Sequence, residues 1–318
     1  MAGEERLVSF YLPAGVTAAI FVLVQVAALL LVPQYEYFGY QAFGPQGKSN
    51  PLIPLAYVAF LIVFTAVLLY IFKKGKGNWL RGIFIFIMSF SAIYVLFPVF
   101  ILILPSYPDF DFYLSVGIMI AIALALWLYP EWYVVDTWGF IMAAGITSIF
   151  GISLGILPAF VLLMAMAAYD FVAVYRTKHM LSIAEGAMEL NLPIMMMVPR
   201  KAGFSNFSSR KPELRGGGGE REALYIGLGD MIIPGVLIVS AFSNLPSAAV
   251  IGGLGGDLLV AAGSLIGAFT GFVLLMRLTS RGRPQAGLPL LNTGTILGFI
   301  ISYLVVFQNL GFGFALHL

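Results

Sequence analysis

The chain has 318 residues, of which 60% are hydrophobic and 10% charged, with 35 glycines and a formal net charge of +2. That is the profile of a polytopic membrane protein and not of a soluble core, and it gives no sign of a nucleic-acid partner. With no cysteine, disulfides, thiolate catalysis and cysteine-ligated zinc are all excluded.

Met1 to Arg6 is too acidic to open a typical signal peptide, and the first apolar run, near 12 to 32, is long enough to remain as a spanning helix. Further runs of spanning length lie near 52 to 72, 83 to 104, 112 to 129, 133 to 151, 154 to 175, 223 to 243, 258 to 276 and 288 to 309. The spacing predicts an all-α membrane protein, a single bundle of about nine transmembrane helices. Residues 1–175 carry helices one to six, 176–222 a cytoplasmic loop with amphipathic and flexible stretches, and 223–318 helices seven to nine.

Charge placement orients the bundle. With the N-terminus inside, the cytoplasmic segments collect sixteen of the Lys and Arg residues, from Arg6 through Lys73, Arg176 and Arg221 to Arg283, and the outer segments hold Lys48 alone. Positive charge stays on the cytoplasmic side, although the long loop 177–222 counts for less, so the N-terminus is placed in and the C-terminus out. The protein is then a multi-pass integral membrane protein, of the cell membrane if prokaryotic.

Two acids interrupt this apolar pattern: Asp170, closing the run Val161 to Tyr169, and Asp230, inside Leu224 to Val239. An ionised carboxylate in hydrocarbon costs at least about 2.5–3.5 kcal/mol, so it needs a partner, water or a function. Asp170 lies about 9 Å from the cytoplasmic end of helix six at Arg176, and Asp230 about 13–14 Å into helix seven from Arg221, both at 1.5 Å per residue. The two carboxylates therefore sit at similar depth and face each other if those helices are neighbours. Intramembrane acids alone leave three readings open: a buried hydrogen-bonded pair that fixes packing, a cation channel or proton-coupled transporter, and a two-acid catalyst.

The surrounding residues bear on that choice. Asp230 closes Gly227-Leu228-Gly229-Asp230, where glycines let another backbone approach closely. Together with Tyr169-Asp170, this resembles the presenilin and signal peptide peptidase family of intramembrane aspartyl proteases. Its marks are Tyr-Asp in the sixth helix, Gly-X-Gly-Asp in the seventh and Pro-Ala-Leu at the start of the ninth. Phe171-Val172-Ala173-Val174, Met180-Leu181 and Asn191-Leu192-Pro193-Ile194 are similar to the presenilin branch, in its microbial form, and Met231-Ile232-Ile233-Pro234-Gly235 to the peptidases. For the third mark two registers stand open: Ala286-Gly287-Leu288-Pro289, with alanine at the family's first proline, and Pro289-Leu290-Leu291, without the alanine. In either, a proline without an N–H is expected to keep the segment extended, leaving backbone groups for a substrate strand.

The resemblance implies an intramembrane aspartyl endopeptidase. Asp170 and Asp230 would be catalytic, with Tyr169, Gly227, Leu228, Gly229, Ala286, Gly287, Leu288 and Pro289 supporting them or binding substrate. Such a pair shares one proton, so that one acid activates water while the other polarises the scissile carbonyl, and no cofactor or metal is required. Substrates would be single-pass transmembrane proteins or peptides met within the lipid bilayer, opened from helix to strand and paired with protein edges. The loop between Arg176 and Arg221 offers Ile194 to Val198 as one such edge and Gly216 to Gly219 as a flexible run. Accessory subunits are not implied; a homo-oligomer is possible.

Other features take plainer readings. Asp257, after Gly252-Gly253-Leu254-Gly255-Gly256, imitates the second motif but reads as an outer-mouth residue, since Leu258 to Met276 spans without it. Gly263, Gly267 and Gly271 have small-xxx-small spacing and read as helix packing. Asp136, beside Trp138, reads as interfacial. His179 and His317 form no HExxH motif, and Met195 to Met197 read as apolar packing.

Overall fold

A computed structural model describes residues 2–74, 77–103, 108–177, 179–190, 192–200, 223–248, 250–279 and 285–313. In chain order these form α1 (Ala2–Tyr37), a short 3-10 turn (Pro45–Lys48), α2 (Leu52–Lys73), α3 (Gly77–Ile103), α4 (Pro108–Leu128), α5 (Trp132–Ser153) and α6 (Ile156–Phe171). A π-helical turn (Val172–Arg176) continues α6, followed by α7 (His179–Glu189), β1 (Met195–Pro199), β2 (Ala223–Gly227) and α8 (Leu228–Asn244). Then come β3 (Val250–Ile251), β4 (Leu254–Gly255), α9 (Gly256–Thr279) and α10 (Gly287–Phe307). Gly216 to Gly219, the charged segment from Lys201 to Arg221, Arg281, Arg283 and His317 lie outside the described residues.

Among the described residues eight helices are long and apolar enough to cross a membrane: α1 to α6, α9 and α10. The run predicted near 223 to 243 divides. Its first five residues form β2, and the apolar helix α8 begins only at Leu228, leaving 17 residues. Apolarity alone could not find this break, because Ala223-Leu224-Tyr225-Ile226 suits a buried strand as well as a helix. Asp230 is consequently the third residue of α8 and not nine residues into a helix begun at Arg221.

The chain sorts into two compact units. One comprises Met1–Ile20, Ala66–Ala143 and His179–Leu228. Here α3 packs on α4, and Arg81 at the start of α3 closes the C-terminus of α4, donating to the carbonyls of Leu126 (3.3 Å) and Trp127 (2.8 Å) and lying over the Trp127 ring. A guanidinium there satisfies carbonyls that the helix leaves unpaired. The same unit contains an antiparallel ribbon in which Met195 pairs with Gly227 and Pro199 with Ala223. Leu228 N–H extends it by donating to Ile194 O (3.1 Å). By antiparallel alternation this turns the N–H of Met197 away from β2.

The other unit comprises Phe21–Thr65, Ala144–Lys178 and Gly229–Leu318. Its core joins Val58, Leu163, Met166, Ile233, Leu237, Val260, Leu288 and Phe299 from α2, α6, α8, α9 and α10. The glycines of α9 work as their spacing suggested. A Cβ on Gly267 would overlap the carbonyl oxygen of Gly294, and one on Gly271 that of Leu290, so α9 and α10 touch backbone to backbone. Between α8 and α9, Gly252 and Gly253 take φ of +63° and +84° to turn the β3–β4 hairpin, a conformation suited to glycine. The glycines before Asp257 thus serve a turn. Asp257 itself accepts from Ser247 Oγ (2.7 Å) and from the N–H of Leu258 (2.8 Å) in the first turn of α9.

Candidate active site

Asp170 is the penultimate residue of α6 and is buried. Its Oδ2 accepts a hydrogen bond from the backbone N–H of Leu288 (3.1 Å), and the N–H of Gly287 also bears on it. Asp230, in the first turn of α8, reaches the same place. A Cβ on Gly287 would lie 2.9 Å from its Oδ2 and 3.0 Å from its Cγ and Oδ1. Both carboxylates therefore meet the first turn of α10, Asp170 through the N–H of Leu288 and Asp230 beside Gly287. Helices α6, α8 and α10 thus bring two acids to one helix N-terminus.

That N-terminus explains the arrangement. Ala286 is the N-cap of α10, with extended backbone (ψ 118°) and no side-chain cap, so the first N–H groups of the helix have no intrahelical acceptor. They turn to Asp170, where a carboxylate is also favoured by the helix dipole. Pro289 stands at the third helical position, where a missing N–H costs nothing. The expectation of an extended segment is corrected here: Gly287 to Pro289 is already helical, and its donors come from a helix end and not from a strand. Of the two registers left open, the one beginning at Ala286 lies at the acids.

The remaining sequence candidates divide. Gly287 and Leu288 touch the acids. The hydroxyl of Tyr169 donates to Thr65 Oγ1 on α2 (3.1 Å). Gly227 ends β2 and Leu228 begins α8, packing on Gly139 of α5. Gly229 is exposed, with nothing within 4 Å of where a Cβ would stand, so no contact among the described residues demands glycine there.

Three further residues went unnoticed or were misread in the sequence. Gln25 of α1 is fully buried and its Nε2 donates to the carbonyl of Met231 (2.7 Å), the neighbour of Asp230. Tyr175 reaches Gln285 and the N–H of Ala286. Asp136, read as interfacial, is buried in α5, and its Oδ1 accepts from the N–H of Met197 (2.8 Å). A lone polar residue on an apolar helix was the only available signal for Gln25 and Asp136, and it does not name a partner.

The family model described as signal-peptide peptidase, presenilin aspartyl protease matches residues 18–308. The chain belongs to the presenilin and signal-peptide peptidase family. Two solved structures of a presenilin family intramembrane aspartate protease are similar to it throughout. The form in space group C222 is 30% identical with a TM-score of 0.64, covering 92% of this chain and 99% of that one. The form in space group P2 is 29% identical with a TM-score of 0.63, covering 91% and 96%. A comparison with curated proteins gave no match. As a presenilin-family member the chain is a multi-pass membrane hydrolase, an intramembrane aspartyl protease with the helical bundle of its relatives.

Proposed function

We propose that Asp170 and Asp230 hydrolyse peptide bonds within or beside the transmembrane segments of other membrane proteins by activating one water between them. The observation that carries this is their convergence on the start of α10, one acid held by the N–H of Leu288 and the other against Gly287. Two carboxylates so placed retain one proton between them, since both cannot ionise cheaply. The ionised acid takes a proton from water as its oxygen attacks the scissile carbonyl, while the protonated acid donates to the carbonyl oxygen. The tetrahedral diol then collapses, the C–N bond breaks, and the amine leaves with a proton returned by the pair.

A helical substrate hides its amides in its own hydrogen bonds and must be opened first. We propose that the opened strand approaches Asp230 past Gly229, whose Cβ position is unobstructed. Of the Ile194 to Val198 stretch first considered, β1 pairs with β2 on one side and gives the Met197 N–H to Asp136 on the other. The cytoplasmic N-terminus inferred from the charge split belongs to this proposal, with cleavage in the inner half of the bilayer.

The test is cleavage of a single-pass reporter by purified protein in liposomes, comparing wild type with Asp170→Asn and Asp230→Asn. Defined fragments lost in both folded variants support the pair as the active site. Fragments that persist in either variant refute it.

A further inference from the structure

Five residues separate Asp170 from Tyr175, a spacing that on an α-helix turns the two side chains roughly 140° apart at 3.6 residues per turn. They nevertheless engage consecutive groups of one segment. Tyr175 Oη donates to Gln285 Oε1 (2.7 Å) and accepts from the N–H of Ala286 (3.3 Å), directly before the Gly287 and Leu288 N–H groups that address Asp170. A phenol does both at once, giving its proton to one partner and a lone pair to the other.

The π-helical turn at Val172–Arg176 reconciles the spacing with the geometry. The N–H of Thr177 bonds Val172 O (3.0 Å), an i→i+5 closure that fits an extra residue into the turn and swings Tyr175 back toward the face of Asp170. The ring of Phe171 then holds that of Tyr175, centroids 5.0 Å apart. A plain α-helix through this stretch would satisfy its backbone equally well but would carry the phenol away from Gln285.

The geometry points to Tyr175 as a positioning residue: a latch from the π turn of α6 to Gln285 and Ala286 that sets where the first turn of α10 presents its N–H groups to Asp170. This rests on the reading of Asp170 and Asp230 as the catalytic pair. The hydrogen bonds of Tyr175 go to Gln285 and Ala286 and to neither acid. Tyr175 fixes the segment entering α10, and with it the placement of one acid relative to the other. An aromatic side chain serving only as a membrane-interface anchor would be indifferent to Gln285.

Tyr175→Phe removes both hydrogen bonds and keeps the ring contact with Phe171, and Gln285→Leu removes the one to Gln285 while leaving the one from Ala286. On a transmembrane reporter in liposomes, Tyr175→Phe is expected to lower kcat about tenfold and Gln285→Leu by less, each with KM within twofold, because misplacement of a catalytic group acts on the transition state. The double variant is expected to lose no more than Tyr175→Phe alone, and mass spectrometry of the products is expected to show cuts spread over neighbouring bonds. The melting temperature is expected to stay at the wild-type value. Wild-type kcat and cut position in Tyr175→Phe, or losses that multiply in the double variant, overturn the latch. Asp170→Asn in the same assay separates the two levels. Fragments surviving in it overturn the aspartyl reading, whereas their loss beside an unaffected Tyr175→Phe overturns the latch alone.

Discussion

Gly287 leaves no room for a side chain beside Asp230: a methyl group there would press on all three carboxyl atoms at about 3 Å. The obstructed atoms belong to the end of a short side chain, which can swing aside without disturbing backbone. Gly287→Ala is therefore expected to keep the fold and melting temperature while displacing the acid. Displacement of a catalytic group by about 1 Å costs on the order of a hundredfold in rate. Reporter cleavage together with a thermal melt checks this; full activity in the alanine variant would show that the carboxylate tolerates the shift.

Asp136 and Met197 allow a separate test, because the buried carboxylate accepts a backbone N–H that β2 does not use. Asp136→Leu leaves that N–H without an acceptor, a loss of about 1–3 kcal/mol. Asp136→Asn retains an acceptor oxygen and is expected to recover most of it. Equilibrium unfolding in detergent reads the difference, and hydrogen exchange at Met197 should rise in the leucine variant alone.

Contact between α9 and α10 depends on glycine at both faces, Gly267 against Gly294 and Gly263 against Gly298. Backbone atoms meet there, so neither side can yield as a side chain would. Gly267→Ala is expected to destabilise by about 1–3 kcal/mol, the usual cost of overpacking. The exposed Gly229, with open space at its Cβ position, is expected to leave stability unchanged as alanine. If its openness serves an approaching substrate strand, the same change raises KM.

A catalyst working with one proton between two acids has a bell-shaped dependence on pH. Acid that protonates both removes the base, and alkali that ionises both removes the donor. Reporter hydrolysis should fall on both flanks, and neither flank should restore activity to Asp170→Asn. A single-sided profile would mean that only one carboxyl group titrates in the step measured.

Gln25 carries the most remote prediction. Its amide holds the Met231 carbonyl next to Asp230 in a helix whose regular bonding Pro234 interrupts. Gln25→Leu removes this tie and is expected to lower kcat several-fold, with about 1 kcal/mol lost in stability. Kinetics and unfolding measured on one preparation separate the two effects.

Much of this site can be read in the sequence because its acids are conspicuous. An aspartate inside an apolar run has few physical excuses, and the motifs around Asp170 and Asp230 named the family before any coordinates did. The same contrast misled at Asp136, whose neighbour Trp138 suggested an interface, although the side chain is buried against a strand. It also failed for Tyr175, because a spacing of five residues falls off the face that helical periodicity searches.

Composition and periodicity settled what the solvent dictates: a chain this apolar must satisfy its backbone within helices that cross a bilayer, and its acids must be few and purposeful. What they could not settle is where a run of apolar residues stops being strand and becomes helix. Local preference is nearly balanced at Ala223 to Gly227, and pairing with Met195 to Pro199 tips it. Only the tertiary structure, likewise, decides that the start of α10 is a helix end whose unpaired N–H groups turn to Asp170, and that a π turn brings Tyr175 to the residues before it. The strand pairing joins residues 24 to 32 apart, and the contacts at the start of α10 join residues more than a hundred apart, so a local sequence pattern carries no record of either.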